Sequence, residues 1–381
     1  MHEVKTTLDK TAFIKLAVDI YAGDSNWIRP LDKDIEEVFD AAKNKFFKRG
    51  ECTRWLLKDD TGNAVGRIAA FVNKQYKNDQ PTGGIGFFEC DNNQAHADFM
   101  FDHCKNWLKE RGMEAMDGPI NFGERDKWWG LLTEGFYPPL YGMNYNPPYY
   151  QQLFEAYGFQ TYYNQVCFAL KVKDRLNDKF YERHAHFAAD PDFAARRIDK
   201  KNLEKYAQDF ATIYNKAWAG HGGGKTIEQR AVMKTFKAMK PVMDENIVWF
   251  VYHKGEPIAM WVNIPDLNQY FKYLNGQFGL LEKLKFLLIK KYGKCNRFVG
   301  IIFGIVPEFQ GTGVDGFMII EGANVIQSMG RYEDYEMQWI GDFNPKMINI
   351  ASNLGTTKSR ELKTYRYLFD RTKEFKRHKI L

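Results

Sequence analysis

The chain has 381 residues, 44% of them hydrophobic and 16% aromatic, enough apolar surface for two packed domains of ordinary size. Its net charge of +6 suits an anionic cosubstrate or surface, and no nucleic-acid-binding motif accompanies it, so nucleic acid is not an expected partner. Five scattered cysteines (Cys52, Cys90, Cys104, Cys167, Cys295) make neither a metal site nor a disulfide framework, Met1–Lys5 opens no apolar signal core, and no run approaches 18 uncharged apolar residues; a cytoplasmic protein with reduced thiols, no metal and no membrane span is expected.

In chain order, a helix is predicted near Thr11–Tyr21. Strands Thr53–Lys58 and Ala64–Val72 flank the turn Asp59-Asp60-Thr61-Gly62, and Ile85–Cys90 is a further strand. Ala95–Glu110 reads as a helix with Ala97, Met100, Cys104 and Leu108 on one face. A short strand follows near Met116, then a long aromatic loop, Gly118–Gly130, of the kind that often carries function. Asn146-Pro147-Pro148 opens a helix that Gly158 stops, and a strand runs through Val166 to Leu170. The charged stretch Asp174–Asp192 reads as a linker, with His184 and His186 solvated.

The second half repeats this order. Helices are predicted over Lys201–Ala217 and Ile227–Met239, separated by the glycine loop Ala219–Lys225, which holds His221. Strands Ile247–Tyr252 and Pro257–Ile264 form a hairpin, and Phe298–Val306 is a strand that leads through a glycine turn into a helix over Phe317–Met329. A strand over Tyr335–Ile340, a helix from Asn344-Pro345 to Gly355, and a last strand over Lys363–Phe369 complete the chain. One long repeat means duplicated domains, residues 1–175 and 195–381.

Strand, glycine turn and helix start together make an anion site, because free N–H groups and the positive end of the helix dipole converge there. The turn lacks the Gly-Lys-Ser/Thr of a nucleotide P-loop and the Gly-x-Gly-x-x-Gly of a dinucleotide fold. The run Val306-Pro307-Glu308-Phe309-Gln310-Gly311-Thr312-Gly313-Val314 resembles the acyl-CoA pyrophosphate loop of the GNAT superfamily of N-acyltransferases, written Gln/Arg-x-x-Gly-x-Gly/Ala. Gln310 and Gly313 match; Asp315 stands where the last small residue belongs, with Gly316 after it, and an inward carboxylate there would repel a pyrophosphate. The order α, hairpin, β–α, β–α, β is similar to one GNAT domain, and its duplication is similar to tandem GNAT proteins such as the Fem peptidyltransferases and N-myristoyltransferase. The resemblance implies an α/β fold with two GNAT-like domains, the first degenerate, since Asp91-Asn92-Asn93-Gln94 replaces its glycine turn.

What the resemblance further implies is an N-acyltransferase that moves an acyl group, acetyl or longer, from acyl-CoA to an amine. Cosubstrate contacts would come from Ile305, Val306, Gln310, Gly311, Thr312, Gly313 and Gly316, and from Asn344. Backbone N–H groups over Gly304–Val306 would polarise the thioester carbonyl. Candidate bases are Glu336, on a strand face shared with Gln338 and Ile340, Asp342 just after it, and His221 in its loop. The tyrosine acid that many GNAT enzymes carry in the helix after this strand is missing from Pro345–Asn353, so Tyr365 or Tyr367 would substitute.

Leu280, Leu281, Leu284, Leu287 and Leu288 form a helical stripe among Lys283, Lys285, Lys290 and Lys291. Such a helix ordinarily covers a core; its basic margin also fits peripheral membrane contact through residues 280–291, which would make the donor or acceptor a lipid. Two alternatives therefore stand beside the small-amine enzyme: a long-chain acyltransferase acting on a lipid amine at the membrane surface, and a GNAT-shaped binding module without turnover.

Overall fold

The computed structural model describes residues 1–76, 78–218 and 226–380. The first half runs β1 (His2–Glu3), α1 (Thr7–Ile20), α2 (Asp32–Val38), β2 (Gly50–Lys58), β3 (Ala64–Asn73), β4 (Thr82–Cys90), α3 (Gln94–Lys109), β5 (Ala115–Gly118), β6 (Leu131–Glu134), α4 (Tyr150–Tyr157) and β7 (Gln160–Lys171). The second runs α5 (Asp178–Ala188), β8 (Phe193–Arg197), α6 (Leu203–Trp218), α7 (Gln229–Met239), β9 (Val248–His253), β10 (Glu256–Pro265), α8 (Asn268–Phe271), α9 (Leu280–Tyr292), β11 (Arg297–Ile305), α10 (Val314–Met329), β12 (Asp334–Met337), β13 (Ile340–Gly341), α11 (Pro345–Asn353) and β14 (Thr357–Leu368). The predicted elements are present with shifted ends: β2, β3, β4, β7, β10, β14 and α10 run longer, α4, α6, α7 and α11 are shorter, and the strand expected over Tyr335–Ile340 stops at Met337 and resumes only as β13. The segment expected as a linker contains α5, whose Phe180 and Phe187 are buried.

All the strands belong to one mixed sheet, ordered β1-β2-β3-β4-β5-β14-β7-β12-β11-β10-β9-β8, with β6 on β14 and β13 on β7 as side pairs. Its centre is an exchange. The last strand of the chain, β14, pairs with β5 of the first half, Tyr365 opposite Gly118. The last strand of the first half, β7, pairs with β12 of the second, Tyr335 opposite Leu170. β14 and β7 then pair with each other, antiparallel, over most of their length. Separate cores lie under the two halves. One packs α3 and α4 on β2–β5 through Phe88, Phe101, Phe154 and Tyr365. The other packs α6, α7 and α10 on β9–β11 through Phe210, Phe236, Phe250, Met260 and Phe317.

The exchange moves Tyr365. Read from the sequence, it shares a domain with the glycine turn; in the fold it is fully buried in the first half's core, its hydroxyl donating to Glu155 Oε1 at 2.8 Å. Burial raises its pKa well above the usual phenol range, and the Glu155 carboxylate adds to the rise.

Candidate functional site

β11 has two unlike edges. Toward β10 it is paired throughout, from Phe298 opposite Pro265 to Ile305 opposite Ala259, and Val306 N donates to Ile258 O at 2.9 Å. Toward β12 the parallel pairing covers only Arg297–Gly300, and Gln338 N donates to Gly300 O at 3.0 Å. Beyond it the two strands part, and the chain after β12 turns to β7 through Ile340 and Gly341. A bulge leaves Ile301 out of the β10 register, and beyond it alternation along the strand points the backbone groups of Phe303 and Ile305 into the gap. Of the N–H groups over Gly304–Val306, only that of Ile305 faces this open edge, because those of Gly304 and Val306 face β10. Trp218, at the end of α6, walls the strand: a Cβ on Gly304 would sit 2.8 Å from its ring, so only glycine admits it.

The turn after β11 is braced by its own side chains. Gln310 Nε2 donates to Ile305 O at 3.0 Å, and Thr312 Oγ1 donates to Phe309 O at 2.8 Å. The Phe309 ring packs on His253 and Phe193, with centroids 5.2 and 6.1 Å apart. Gly311 and Gly313 take φ values of +77° and +98°, where L side chains are strained. Gly313 is the N-cap of α10 and brings no side-chain acceptor; Gly316 N donates to Gly313 O at 3.0 Å, which leaves the N–H groups of Val314 and Asp315 available. The equivalent helix of the first half is closed by contrast: Asn93 Oδ1 accepts from Ala95 N at 3.0 Å, and Asp91 Oδ1 lies 2.8 Å from His96 Nδ1.

Over the turn lies Arg183 of α5, which sequence reasoning placed in a linker. Its side-chain carbons come within about 3 Å of the points where Cβ atoms on Gly313 and Gly316 would sit. Its Nη1 donates to Asp315 Oδ2 at 3.1 Å. Asp315, the residue that breaks the motif, is thereby held and its charge balanced. Gly316 serves this helix contact, since its Cβ would also lie 3.3 Å from Phe180 O. Beside it His184 Nε2 is 2.7 Å from Glu321 Oε1, and its ring stacks on Phe317.

The remaining sequence candidates scatter. Glu336 is buried, and both of its oxygens are taken: Oε1 accepts from Ser359 Oγ at 2.9 Å and Arg360 Nε at 2.7 Å, and Oε2 accepts from Arg297 Nη1 at 3.2 Å. This geometry is that of a buried ion pair with Arg297 and Arg360, which holds the carboxylate in place within the sheet. Asp342 pairs with Arg377 at 2.6 Å. Asn344 caps α11, its Oδ1 accepting from Met347 N at 3.2 Å. Tyr367 packs beside Tyr157 and Phe159 in the first half. His221 lies outside the described residues.

In the first half β4 and β5 part in the same way after Gly84 and Asp117, yet the gap is filled. Tyr150 Oη accepts from Cys90 N at 2.8 Å, and Tyr149 Oη donates to Cys90 O at 2.7 Å. Glu89 is buried there and accepts from Tyr21, Tyr150 and Arg67 at 2.9, 2.8 and 3.2 Å. Burial pushes its pKa up, against the pull of Arg67 and the two tyrosines. The cavity that remains, about 80 Å³, is lined partly by Trp128 of the long loop and by Tyr141 and Tyr145, which follow β6. That is far below the roughly 300–1,000 Å³ of a pocket for a ligand of ordinary size.

No protein-family model matches the chain. It is 29% identical over 378 residues to the bacterial ceramide synthase of Caulobacter vibrioides (strain NA1000 / CB15N), which covers 95% of each chain. Among solved structures it resembles a tandem GNAT protein from the clavulanic acid biosynthesis pathway, with a TM-score of 0.54, 10% identity, and 97% of this chain and 98% of that one covered. A GCN5-related N-acetyltransferase from Sphaerobacter thermophilus gives a TM-score of 0.52 at 10% identity, covering 97% and 95%. The GCN5-related glucosamine N-acetyltransferase region of a fungal multi-domain GH3 β-N-acetylglucosaminidase gives 0.55 at 12% identity; 96% of this chain is covered but only 37% of that longer one. Two halves of one element order, a parted β11–β12 pair and these full-length likenesses agree: the chain has the tandem GNAT fold.

Proposed function

We propose that the protein is an acyl-CoA-dependent N-acyltransferase whose acceptor is a lipid amine. The observation that carries the acceptor is the full-length relationship to a ceramide synthase. A ceramide is the fatty amide of a long-chain amino alcohol, so an enzyme that makes one joins a long acyl group to a lipid amine. The small-amine acetyltransferase gives way to this reading. The donor rests on local geometry: an open strand edge on β11 and, at its end, an uncapped glycine turn beneath an arginine.

Each part has a task under this reading. The N–H groups at Gly311, Gly313 and the start of α10 receive pyrophosphate oxygens, with Arg183 cancelling the Asp315 charge and offering its remaining N–H groups from above. The open edge at Phe303–Ile305 aligns the pantetheine amides as an added strand would, and the Ile305 N–H lies where a thioester carbonyl is polarised. Attack by a neutral amine forms the amide C–N bond and breaks the C–S bond; one proton leaves the nitrogen and one reaches the departing thiolate. His221, three positions after Trp218 in sequence, is our candidate for the proton acceptor.

The test is to incubate the full chain with acetyl-CoA or palmitoyl-CoA and a long-chain amino alcohol in mixed micelles, and to identify amides by mass spectrometry. The long-chain amide is expected in excess. Acetylation of small soluble amines without lipid amide would restore the first reading, and no transfer to any amine would favour the binding module.

A further inference from the structure

α9 is built inside out. A surface helix normally turns its apolar stripe to the core and its charges to water. Here Phe286 is the one buried residue of the helix, set against Tyr270, Phe271 and Phe278 at centroid distances of 5.8, 5.8 and 6.2 Å, with Ile289 half-buried beside this cluster. The leucines face outward. Leu280 is 81% exposed, Leu281 76%, Leu284 60%, Leu287 54% and Leu288 59%, and Tyr292 adds 73%. At 100° per residue these six span roughly 140° of the helix, a continuous outward face about opposite Phe286.

Most charges border this face: Lys283 and Lys285 flank its two sides, Lys285 donating to Tyr273 O at 2.6 Å, while Lys291 stands within the face at its C-terminal end, Lys294 follows the helix, and Lys290 lies on the inner side and donates to Pro241 O. Glu282 is the sole acid between residues 272 and 294, against six lysines, so this corner holds nearly all of the chain's net charge of +6. Apolar centre, basic margin and an aromatic residue at the end are the composition of a helix that lies in a bilayer interface. Leucines enter the acyl region, and lysines extend their stems to reach headgroup phosphates. A protein partner would match apolar area but would not call for a ring of lysines. A second copy of the same basic corner would be repelled.

We propose that α9 is a docking helix that seats the protein on an anionic membrane, its axis in the plane of the surface. The inference rests on the lipid-amine reading only for its purpose, since it gives the enzyme the surface on which such an acceptor is dissolved; the docking itself needs no turnover.

Flotation of the full chain with vesicles tests it, using phosphatidylcholine alone or phosphatidylcholine with a quarter phosphatidylglycerol, and neither donor nor amine present. Wild type is expected to float with the anionic vesicles and to be released by added salt. Leu281→Ser, Leu284→Ser, Leu288→Ser combined should cut the bound-to-free ratio roughly ten- to a hundredfold. Lys283→Glu with Lys291→Glu should cut it about tenfold or more on anionic vesicles. These side chains are exposed, and unchanged circular dichroism and melting temperature would confirm intact folding of both variants. No flotation of wild type, equal flotation with neutral and anionic vesicles, or flotation of the leucine variant like wild type would each overturn the proposal. So would a dimer of wild type that the leucine variant abolishes without vesicle binding. Because these vesicles carry no substrate, a failure here leaves the acyl-transfer reading standing, and inactivity in the micelle assay leaves the docking standing.

Discussion

Glu336→Gln separates a structural carboxylate from a catalytic one. In the fold Glu336 is 5% exposed at its side chain and faces Arg360, which is 1% exposed. Arg360 spends its other N–H groups on the carbonyls of Tyr137 at 2.8 Å and Pro138 at 2.9 Å, so Glu336 is the charge that balances it. Glutamine fills the same volume, but it turns one acceptor into a donor facing a guanidinium and leaves a buried cation without a counter-charge. Removing one partner of a buried pair costs about 3–5 kcal/mol, a fifth or more of the roughly 5–15 kcal/mol that holds most proteins folded. Urea unfolding at pH 7.5, followed by tryptophan fluorescence, should show the midpoint fall without a change in slope. Adding Arg360→Met to Glu336→Gln should recover part of the loss, because it removes the stranded guanidinium charge. A Glu336→Gln protein within about 1 kcal/mol of wild type that has lost acyl transfer would refute this reasoning and return Glu336 to the role of base.

Nearby, Asp266 is buried with Arg297 Nη1 at 4.0 Å, and desolvation pushes its pKa from 3.8 up to about 6. The native state therefore holds an extra proton between these values, so stability falls as pH rises through them; wild type should lose about 1–2 kcal/mol between pH 5 and pH 7.5 from this group, and Asp266→Asn should flatten that slope in urea titrations. Gly313→Glu puts a strained side chain and a negative charge under Arg183, and should abolish CoA binding in calorimetry. Arg183→Ala should weaken CoA about tenfold while leaving the melting temperature within a few degrees, because the Arg183–Asp315 pair is partly exposed. His221→Ala should lower kcat about 10²–10⁴-fold and remove the acid limb of the pH–rate profile; an unchanged profile would eliminate it as base.

Much of this was legible in the sequence because it is local. The glycine turn, the hairpins, the proline-opened helices and the repeat each depend on a few neighbouring residues. What escaped was long-range. Strands β7 and β14 have similar patterns and occupy equivalent places in the two repeats, so periodicity cannot say which sheet each joins; Tyr365 was misplaced for that reason alone. α5 was hidden by its charges, although Phe180, His184 and Phe187 stand at i, i+4 and i+7, and all three pack inward or onto α10. The α9 stripe announced an amphipathic helix, but a stripe does not say which side meets the core. Phe286, on the opposite face, decided that through contacts with residues up to 16 positions away. Glu336 looked free because its partners Ser359 and Arg360 lie more than twenty positions downstream.

The exchange of strands sets a schedule for synthesis. β5 leaves the ribosome with an edge that only β14 fills, and the register Gly118–Tyr365 puts nearly 250 residues between the two. At about 5–20 residues per second, that edge waits on the order of ten to fifty seconds before its partner has been made. Throughout this interval the nascent first half presents an unpaired strand able to recruit other chains. The two halves repeat one element order, but they are not modules that can mature one after the other, and cutting the gene at their boundary would deprive each product of the strand that the other carries.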